Sequence, residues 1–326
     1  MRTAAARLLV VLALGLLPAL LVAHAQELKP RQVGVILQGG IYYAGLDGLR
    51  AGLKAAGLEE GRQLSLLVRD TKGDLKAAEA AAKDLERDGV DMIVAIPTSV
   101  ALATKRATVA VPIVFAVGSD PVAFGLVDSI ARPGGRLTGV HFITADLTAK
   151  RLEILKELVP TLRRVVSFYN PGNPVSMSAM GLARDAARQL GVDLVERQVT
   201  SPQDIQQRLR DLSAADADAF FFIGDPTLLS QIASVLERLT ALRMPTVVIQ
   251  PDLVREGALA GYGVSYRDVG RMAAPYVARV LAGAQPGDLP VEDVSRVLLT
   301  INLKTAAALG LTIPPSILAR ADEVIE

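Results

Sequence analysis

The fold is decided by residues 111–126, which read Val-Pro-Ile-Val-Phe-Ala-Val-Gly-Ser-Asp-Pro-Val-Ala-Phe-Gly-Leu. The run from Ile113 to Val117 is unbroken and apolar, which predicts a strand buried on both faces of a parallel sheet. It stops at Gly118-Ser119-Asp120-Pro121. Because ligands of open α/β sheets bind at the carboxyl ends of the strands, this polar tip predicts one side of a ligand site.

The same order of strand, polar tip and helix recurs along the chain. Further strands are predicted at Val33–Leu37, Leu64–Val68, Met92–Ile96, Leu137–Val140, Val165–Tyr169, Leu194–Gln198, Ala219–Ile223, Thr246–Ile249, Leu259–Tyr262 and Arg296–Ile301. Helical segments separate most of them, which indicates parallel sheets with helices on both faces. An amphipathic helix over Leu147–Val159 leads into the second half, and the tail predicts helices at Tyr266–Ala282, Leu303–Leu309 and Ser316–Val324.

The two halves of the chain share a sequence pattern around two of their strands. Residues 91–98 align with residues 218–225, and residues 111–120 align with residues 244–252. We interpret this as two similar doubly wound, Rossmann-like lobes with flavodoxin-like strand order; the alternative is that any two α/β lobes look alike.

The tail contains extra elements that must pack onto these lobes, so the chain is expected to cross between them more than once. The predicted boundaries are 31–142 plus about 257–292 for lobe I and 143–256 plus about 293–326 for lobe II. Several crossovers form a hinge, which allows two lobes to close on a ligand.

Composition excludes several classes of protein. The chain has 326 residues, which suits two domains of about 130–150 residues. Its formal net charge is +1, so nothing electrostatic favours nucleic acid or acidic membranes as a partner. It has no cysteine, which excludes disulfides, thiolate metal sites and thiol catalysis.

The first 25 residues read as a cleaved signal peptide. Arg2 and Arg7 give a positive start, Leu8–Val22 is apolar, and Ala23-His24-Ala25 precedes Gln26. Small residues at that spacing are what signal peptidase requires. The alternative, a membrane anchor, is disfavoured because the apolar run is shorter than the ~20 residues that span a bilayer. The sequence therefore predicts export to the periplasm.

Motifs of catalysis are missing. The chain has two histidines, of which one lies in the leader, and His141 alone cannot build a metal site. A structural role for His141 is favoured over contact with the cleft. No G-x-S-x-G or Walker sequence is found, and Gln38-Gly39-Gly40 lacks the spacing of a dinucleotide-binding loop. The sequence therefore predicts a binding protein without catalytic residues, metal or cofactor.

The strand tips offer hydrogen-bonding groups for a small molecule. Thr98 and Ser99 lie at a strand-to-helix junction, where free amides and hydroxyls suit a carboxylate, although both also fit an N-cap. Asp120 and Asp225 are candidates to accept from an amino group. Tyr42 or Tyr43 can stack on an aromatic ligand, with buried packing as the alternative for one of them.

Asn170 and Asn173 are adaptable donors and acceptors, but Asn-Pro-Gly-Asn-Pro is equally a turn sequence. The complete set of predicted ligand-binding residues is Gln38, Gly39, Tyr42, Thr98, Ser99, Ser119, Asp120, Asn170, Asn173, Asp225 and Gln250.

Three long motifs carry a resemblance to a known family. They are Asp120-Pro121-Val122 through Gly139 with its Ala131-Arg132-Pro133-Gly134-Gly135, Lys150-Arg151-Leu152-Glu153 with Leu155-Lys156-Glu157, and Ile301-Asn302-Leu303-Lys304-Thr305-Ala306 through Pro314-Pro315-Ser316. The chain resembles ABC-transporter substrate-binding proteins of the group with tryptophan- and tyrosine-binding members.

The resemblance implies a type I periplasmic-binding fold with two lobes, three crossovers and a ligand in the cleft. It also implies an amino acid or small aromatic carboxylate as ligand, a monomer, and delivery to a transmembrane permease driven by a separate ATPase. Two other functions stay open: an exported sensor that presents its liganded form to a membrane receptor, and an exported α/β enzyme. A cytoplasmic repressor is disfavoured by the leader and by the lack of an N-terminal helix-turn-helix sequence.

Overall fold

A computed structural model describes residues 30–142 and 147–326. The predicted signal peptide lies outside the described residues. The strands are β1 (Arg31–Leu37), β2 (Leu64–Asp70), β3 (Met92–Ala95), β4 (Ile113–Val117), β5 (Leu137–His141), β6 (Arg164–Tyr169), β7 (Asp193–Gln198), β8 (Ala219–Phe221), β9 (Thr246–Val248), β10 (Ala260–Gly263), β11 (Glu292–Asp293), β12 (Leu298–Asn302) and β13 (Glu323–Ile325).

The α-helices are α1 (Tyr42–Ala55), α2 (Leu75–Arg87), α3 (Thr98–Ala107), α4 (Leu147–Leu158), α5 (Pro174–Leu190), α6 (Pro202–Asp211), α7 (Pro226–Leu229), α8 (Ile232–Ala241), α9 (Tyr266–Leu281), α10 (Leu303–Leu309) and α11 (Pro315–Leu318). Two 3₁₀ helices cover Pro251–Glu256 and Pro286–Asp288. Asp74 caps α2, because its side chain accepts from the backbone nitrogens of Lys76 and Ala77.

The first sheet is parallel and has the order β11-β5-β4-β3-β1-β2. All five residues of β4 are buried, as the unbroken apolar run predicts. Gly139 of β5 pairs with Phe115 so closely that a Cβ there would lie 2.0 Å from the Phe115 carbonyl oxygen. The central strands are therefore covered on both faces and fixed in register.

The second sheet repeats this arrangement in the order β13-β12-β10-β9-β8-β6-β7. Strands β6 to β10 are parallel, whereas β12 runs antiparallel to β10. Its parallel part has the same order as the first sheet, 2-1-3-4-5 in chain order within the lobe. The prediction of two doubly wound lobes with flavodoxin-like order is confirmed.

One predicted boundary differs from the sheets. Residues 257–292 were assigned by sequence to lobe I, but β10 pairs with β9 and β12 in the second sheet. The return to the first lobe begins with α9, which packs on α1. Gly270 and Gly48 allow this contact, since a Cβ at either position would lie 1.9 Å or less from backbone oxygens of the facing helix. A short apolar strand carries no local signal of which sheet it joins.

The C-terminal helix is also shorter than predicted. It ends at Leu318 instead of Val324, and residues 323–325 form β13, parallel to β12. Asp322 explains the difference. Its carboxylate accepts a 2.8 Å hydrogen bond from the Leu299 nitrogen, and its own nitrogen donates to the Leu299 oxygen. This reciprocal pair aligns the last residues with the sheet edge.

Candidate functional site

Four buried side chains of the first lobe form two hydrogen-bonded pairs. Ser99 Oγ donates to Gln38 Oε1 over 3.0 Å, and Ser119 Oγ donates to Thr98 Oγ1 over 2.8 Å. Gln38 follows β1, Thr98 and Ser99 begin α3 after β3, and Ser119 follows β4. Since these three strands are neighbours in the sheet, the structure brings the four predicted side chains together at its carboxyl edge.

The amino end of α3 lies at the same place. Its N-cap position is Pro97, and no side chain of the described residues caps it. Thr98 is 1% exposed and lines the space between the lobes. The first-turn amides and the helix dipole therefore provide a positive potential beside this space.

On the second lobe, Asp225 joins three segments. Its Oδ2 accepts from the Asn170 nitrogen over 2.6 Å and from Ser176 Oγ, and its Oδ1 accepts from the Leu228 nitrogen over 2.9 Å. The side chain is fully buried, and this burial raises its pKa against the opposing effect of the hydrogen bonds. Asp225 thus caps α7 and fixes the loop after β6.

Three buried amide side chains around the carboxyl edges each keep one polar atom without a hydrogen-bond partner among the described residues. These atoms are Gln38 Nε2, Asn173 Nδ2 and Gln250 Oε1. The other end of each amide is engaged: Asn173 Oδ1 caps α5 at Val175, and Gln250 Nε2 donates to Asp252 over 3.1 Å. Each amide group is therefore held in place by one of its polar atoms. The other atom is an unpaired donor in Gln38 and Asn173 and an unpaired acceptor in Gln250.

An aromatic cluster adjoins these groups. The ring of Tyr42 stacks on that of Tyr266, with centroids 5.5 Å apart and an interplanar angle of 29°. Phe142 packs against Tyr266 at 5.4 Å. Burial raises the pKa of both tyrosines, so both stay protonated at neutral pH. Sequence analysis identified Tyr42 but missed Tyr266, which only the docking of α9 on α1 brings there, and Phe142, which directly follows β5 at the sheet edge.

The lobes contact each other across the cleft. One interlobe cavity is lined by Tyr42, Thr98 and Gly118 of the first lobe and by Val175, Pro226 and Leu229 of the second.

The cavity measures about 20 Å³ as seen by a water-sized molecule, which is room for about one water. A Cβ at Gly40 would lie 2.4 Å from the Leu229 oxygen of the opposite lobe. The structure is therefore closed.

Some predicted residues lie elsewhere or act locally. Asp120 is exposed, and its carboxylate accepts from the Val122 and Ala123 nitrogens of its own turn. Gly39 has a φ of +77° and packs against Asp70. The Asn170 side chain accepts from the Gly172 nitrogen over 2.9 Å, also within its own turn. The structure thus separates Asp120 from the buried groups.

Tyr43, the alternative stacking residue, is 43% exposed and donates its hydroxyl to Asp70 over 2.9 Å. His141 ends β5 and is buried.

Arg151 is a further buried group that sequence analysis did not assign to the site. It lies on α4, is 0% exposed, and donates to Thr148 Oγ1 over 3.2 Å. Burial lowers its pKa to about 10, with Tyr266 and Tyr262 nearby acting in the opposite direction. The guanidinium is charged at neutral pH and places positive charge near the aromatic cluster.

The described ranges contain no group of three or more His, Cys, Asp or Glu side chains placed to hold a metal ion. No helix within 30–142 and 147–326 is long and apolar enough to cross a membrane.

Comparison with known proteins identifies the family. A sequence model of the family described as ABC transporter substrate binding protein matches residues 32–325. A tyrosine-binding protein of Clostridioides difficile (strain R20291) is 27% identical over 260 residues, covering 79% of this chain and 74% of that protein.

Two solved structures are similar over most of the chain. The ABC domain from Streptococcus pneumonia in complex with L-Trp is 26% identical, with a TM-score of 0.80 and coverage of 91% of this chain and 100% of that one. A substrate-binding protein with adhesive properties from Clostridium difficile, solved ligand-free and open, is 25% identical, with a TM-score of 0.59 and coverage of 90% and 99%. Identity and coverage are nearly equal, so the lower score against the open structure agrees with lobes that are closed here.

The two matching sheets, the crossovers between them and the interlobe cavity form a type I periplasmic-binding fold. Together with a family match that spans 32–325, they establish that this chain belongs to the ABC transporter substrate-binding protein family.

Proposed function

We propose that the protein binds an aromatic amino acid between its lobes and presents it to the permease of an ABC importer. The observation that carries this proposal is the stacked pair of Tyr42 and Tyr266 on the same cavity as Thr98 and the amino end of α3. A flat apolar wall beside an anion-binding helix end matches an aromatic ring joined to a carboxylate.

The first lobe offers the groups that suit the carboxylate. The α3 amides and Gln38 Nε2 are donors at one sheet edge, and a buried donor without a partner gains most from an acceptor that reaches it. Arg151 adds positive charge beside Tyr266. An anionic end of the ligand is therefore favoured on this side.

The second lobe offers the groups that suit the ammonium. Gln250 Oε1 is a buried acceptor without a partner among the residues described, and Asp225 is a buried carboxyl group next to Gly224 and Pro226, which line the cavity. With the carboxylate on one lobe and the ammonium on the other, a zwitterion favours closure because it bridges both.

Entry of the ligand requires the lobes to part. A cavity with room for about one water holds no amino acid, so the closed arrangement must open about the crossovers between the sheets and then close around the ligand. The relatives support this ligand class: one is named for binding tyrosine and another was solved with L-Trp.

We further infer that the chain works in the periplasm after removal of residues 1–25, as a monomer, with a transmembrane permease and its ATPase as partners. Membership of the substrate-binding protein family supports these partners.

Thermal unfolding with each proteinogenic L-amino acid tests the ligand. A ligand at 100 times its Kd adds about 2.7 kcal/mol to the free energy of unfolding. We expect tyrosine, tryptophan or phenylalanine to raise the Tm, and neither the decarboxylated amine nor the deaminated acid of the same ring to do so. An aromatic amino-acid site would be contradicted if no amino acid raised the Tm, or if leucine and alanine raised it as much as the aromatic amino acids do.

A further inference from the structure

A second cavity lies in the second lobe, at the edge of the sheet opposite the cleft. Its volume is about 410 Å³, within the range of small-molecule sites. Thr246, the first residue of β9, lies in it, whereas Gln250 follows the carboxyl end of the same strand. The two positions are four residues apart in extended backbone, which spans about 13 Å. The cavity is therefore distinct from the interlobe site.

The walls are apolar and come from three elements. Leu236 and Leu239 of α8, Leu259 ahead of β10, and Ala308 and Leu309 of α10 line the cavity. Part of the motif over residues 301–316 thus lies here and not at the cleft. These walls suit a hydrocarbon chain or ring.

The charges at the cavity have one sign. Of the described residues that line it, Arg243 and Lys304 are charged and none is acidic. Both are exposed, and neither forms an ion pair with another described residue. Two cations at the mouth of an apolar cavity match an anionic group on an apolar body.

A buried hydroxyl lies behind the cavity wall. Thr246 is 3% exposed and lines the cavity, yet its Oγ1 has no hydrogen-bond partner among the residues described. Since this oxygen is closed off from the cavity, Thr246 contributes its carbon atoms to the wall, and the polar contacts at the cavity come from Arg243 and Lys304.

We propose that this cavity is a second ligand site that binds a small amphipathic carboxylate, its tail between α8 and α10 and its anionic group between Arg243 and Lys304. The site does not depend on the proposed amino-acid transport, because no residue of the cleft contributes to it.

Decanoate below its micelle concentration is the probe, and decyltrimethylammonium is the matched cation with the same tail. Isothermal titration calorimetry should show decanoate binding with one-to-one saturation and at least about tenfold weaker binding of the cation. Equal affinity for the two would mean unspecific adsorption of the tail and would overturn the proposal.

Variants locate the site. Lys304→Met should weaken decanoate binding about tenfold, whereas Lys76→Met, at an exposed lysine of the first lobe, should leave it unchanged. Ala308→Phe, which fills the cavity from an exposed helix position, should abolish binding. If Lys304→Met behaves like Lys76→Met, the cavity is not the site.

Thr246→Val is a control in the cavity wall. The substitution replaces an unpaired hydroxyl that does not face the cavity with a methyl group, so the Tm should stay equal or rise and decanoate should bind as tightly as to the wild type. Gly40→Ala, which obstructs the cleft, should leave decanoate binding intact. If Gly40→Ala lost decanoate binding, decanoate would bind in the cleft. That result would overturn the second site but would not contradict the proposed amino-acid site.

Discussion

Asp91 and Asp218 make the same contact in the two lobes. Asp91 Oδ2 accepts a 2.7 Å hydrogen bond from the Gln32 nitrogen, and the Asp91 nitrogen donates back to the Gln32 oxygen. Asp218 Oδ2 accepts one of 2.8 Å from the Arg164 nitrogen, and its own nitrogen donates to the Arg164 oxygen. Each aspartate thus ties the third strand of its lobe to the start of the first, at the positions where the two halves of the sequence align.

We expect Asp91→Ala and Asp218→Ala each to lower the free energy of unfolding by about 1 kcal/mol, because each removes charge-assisted hydrogen bonds to backbone nitrogens. Urea denaturation measures the change. Asp193→Ala is the control, since Asp193 is exposed and forms only backbone hydrogen bonds among the described residues, and it should stay within about 0.5 kcal/mol. A neutral result at one aspartate alone would show that the two lobes do not use this contact equally.

The local part of the fold could be predicted from sequence, and the non-local part could not. The strand over Ile113–Val117 was predicted to the residue because a short apolar run is a local signal. The membership of β10 in the second sheet depends on pairing with β12, which lies far along the chain. The docking of α9 on α1 depends on matched glycines such as Gly48 and Gly270.

The same difference between local and non-local signals applies to the candidate site. Strand tips locate Gln38, Thr98 and Ser99 because the residue after a buried parallel strand must lie at the sheet edge. Tyr266 was missed because its place depends on the return of the chain to the first lobe. For Asp120, the signal was present: an aspartate followed by proline caps the turn that it begins, as its bonds to Val122 and Ala123 show.

Gly40→Ala should block closure of the lobes. A Cβ at this position would lie 2.4 Å from the Leu229 oxygen, and the φ of +55° disfavours any side chain. We expect affinity for the amino acid to fall at least about tenfold, and small-angle scattering to show a larger radius of gyration in the presence of ligand than for the wild type.

Gly57→Ala is the matched control for Gly40→Ala. Its φ is +78°, but no atom lies within 4 Å of the added Cβ. Both variants should lose about 1–2 kcal/mol of stability to backbone strain, and only Gly40→Ala should lose affinity. Equal affinities in the two variants would mean that the contact at Leu229 does not form in the liganded state.

Gln38→Leu should weaken ligand binding about tenfold. The substitution removes the unpaired Nε2 donor at the carboxyl edge of the first sheet, but it also leaves Ser99 Oγ without its acceptor. Ser99→Ala separates these effects, since it keeps the Gln38 donor and should retain most of the affinity. Calorimetry on both variants, with exposed Gln63→Leu as control, measures the difference. A greater loss in Ser99→Ala than in Gln38→Leu would assign the contact to the serine.

Asp225 should make stability fall with rising pH. Its burial raises the pKa of the folded protein above the ordinary 3.8, so the native state holds the proton more tightly than the unfolded chain. This contribution is fully present below about pH 4 and is lost as the pH rises through the folded pKa. Relative to Asp225→Asn, the wild type should therefore lose free energy of unfolding from about pH 4 upward, as measured by urea denaturation across pH.

Asp218 should show the opposite dependence of the free energy of unfolding on pH. The backbone hydrogen bond from Arg163 lowers its pKa, so its contribution is present above the ordinary pKa and is lost as the pH falls. The difference between the wild type and Asp218→Asn should shrink on acidification, whereas the difference between the wild type and Asp225→Asn should move the other way. Parallel curves for the two variants would show that burial does not raise the pKa of Asp225.

Tyr42→Leu should reduce the affinity for an aromatic amino acid more than tenfold, because it removes the ring that stacks on Tyr266 at the cavity. Tyr42→Phe keeps the ring and should retain most of the affinity.

Both Tyr42 variants remove buried contacts, so Tyr276→Leu serves as the control. Tyr276 is a buried tyrosine of α9 that does not line the cleft, and its hydroxyl donates to the Pro290 oxygen over 2.8 Å. If Tyr42→Leu and Tyr276→Leu lose stability alike and only the former loses affinity, the effect belongs to the ligand contact. If the wild type binds tyrosine no more tightly than leucine, and the same holds for Tyr42→Leu, then the stacked pair only packs the protein interior and does not contact the ring of the ligand.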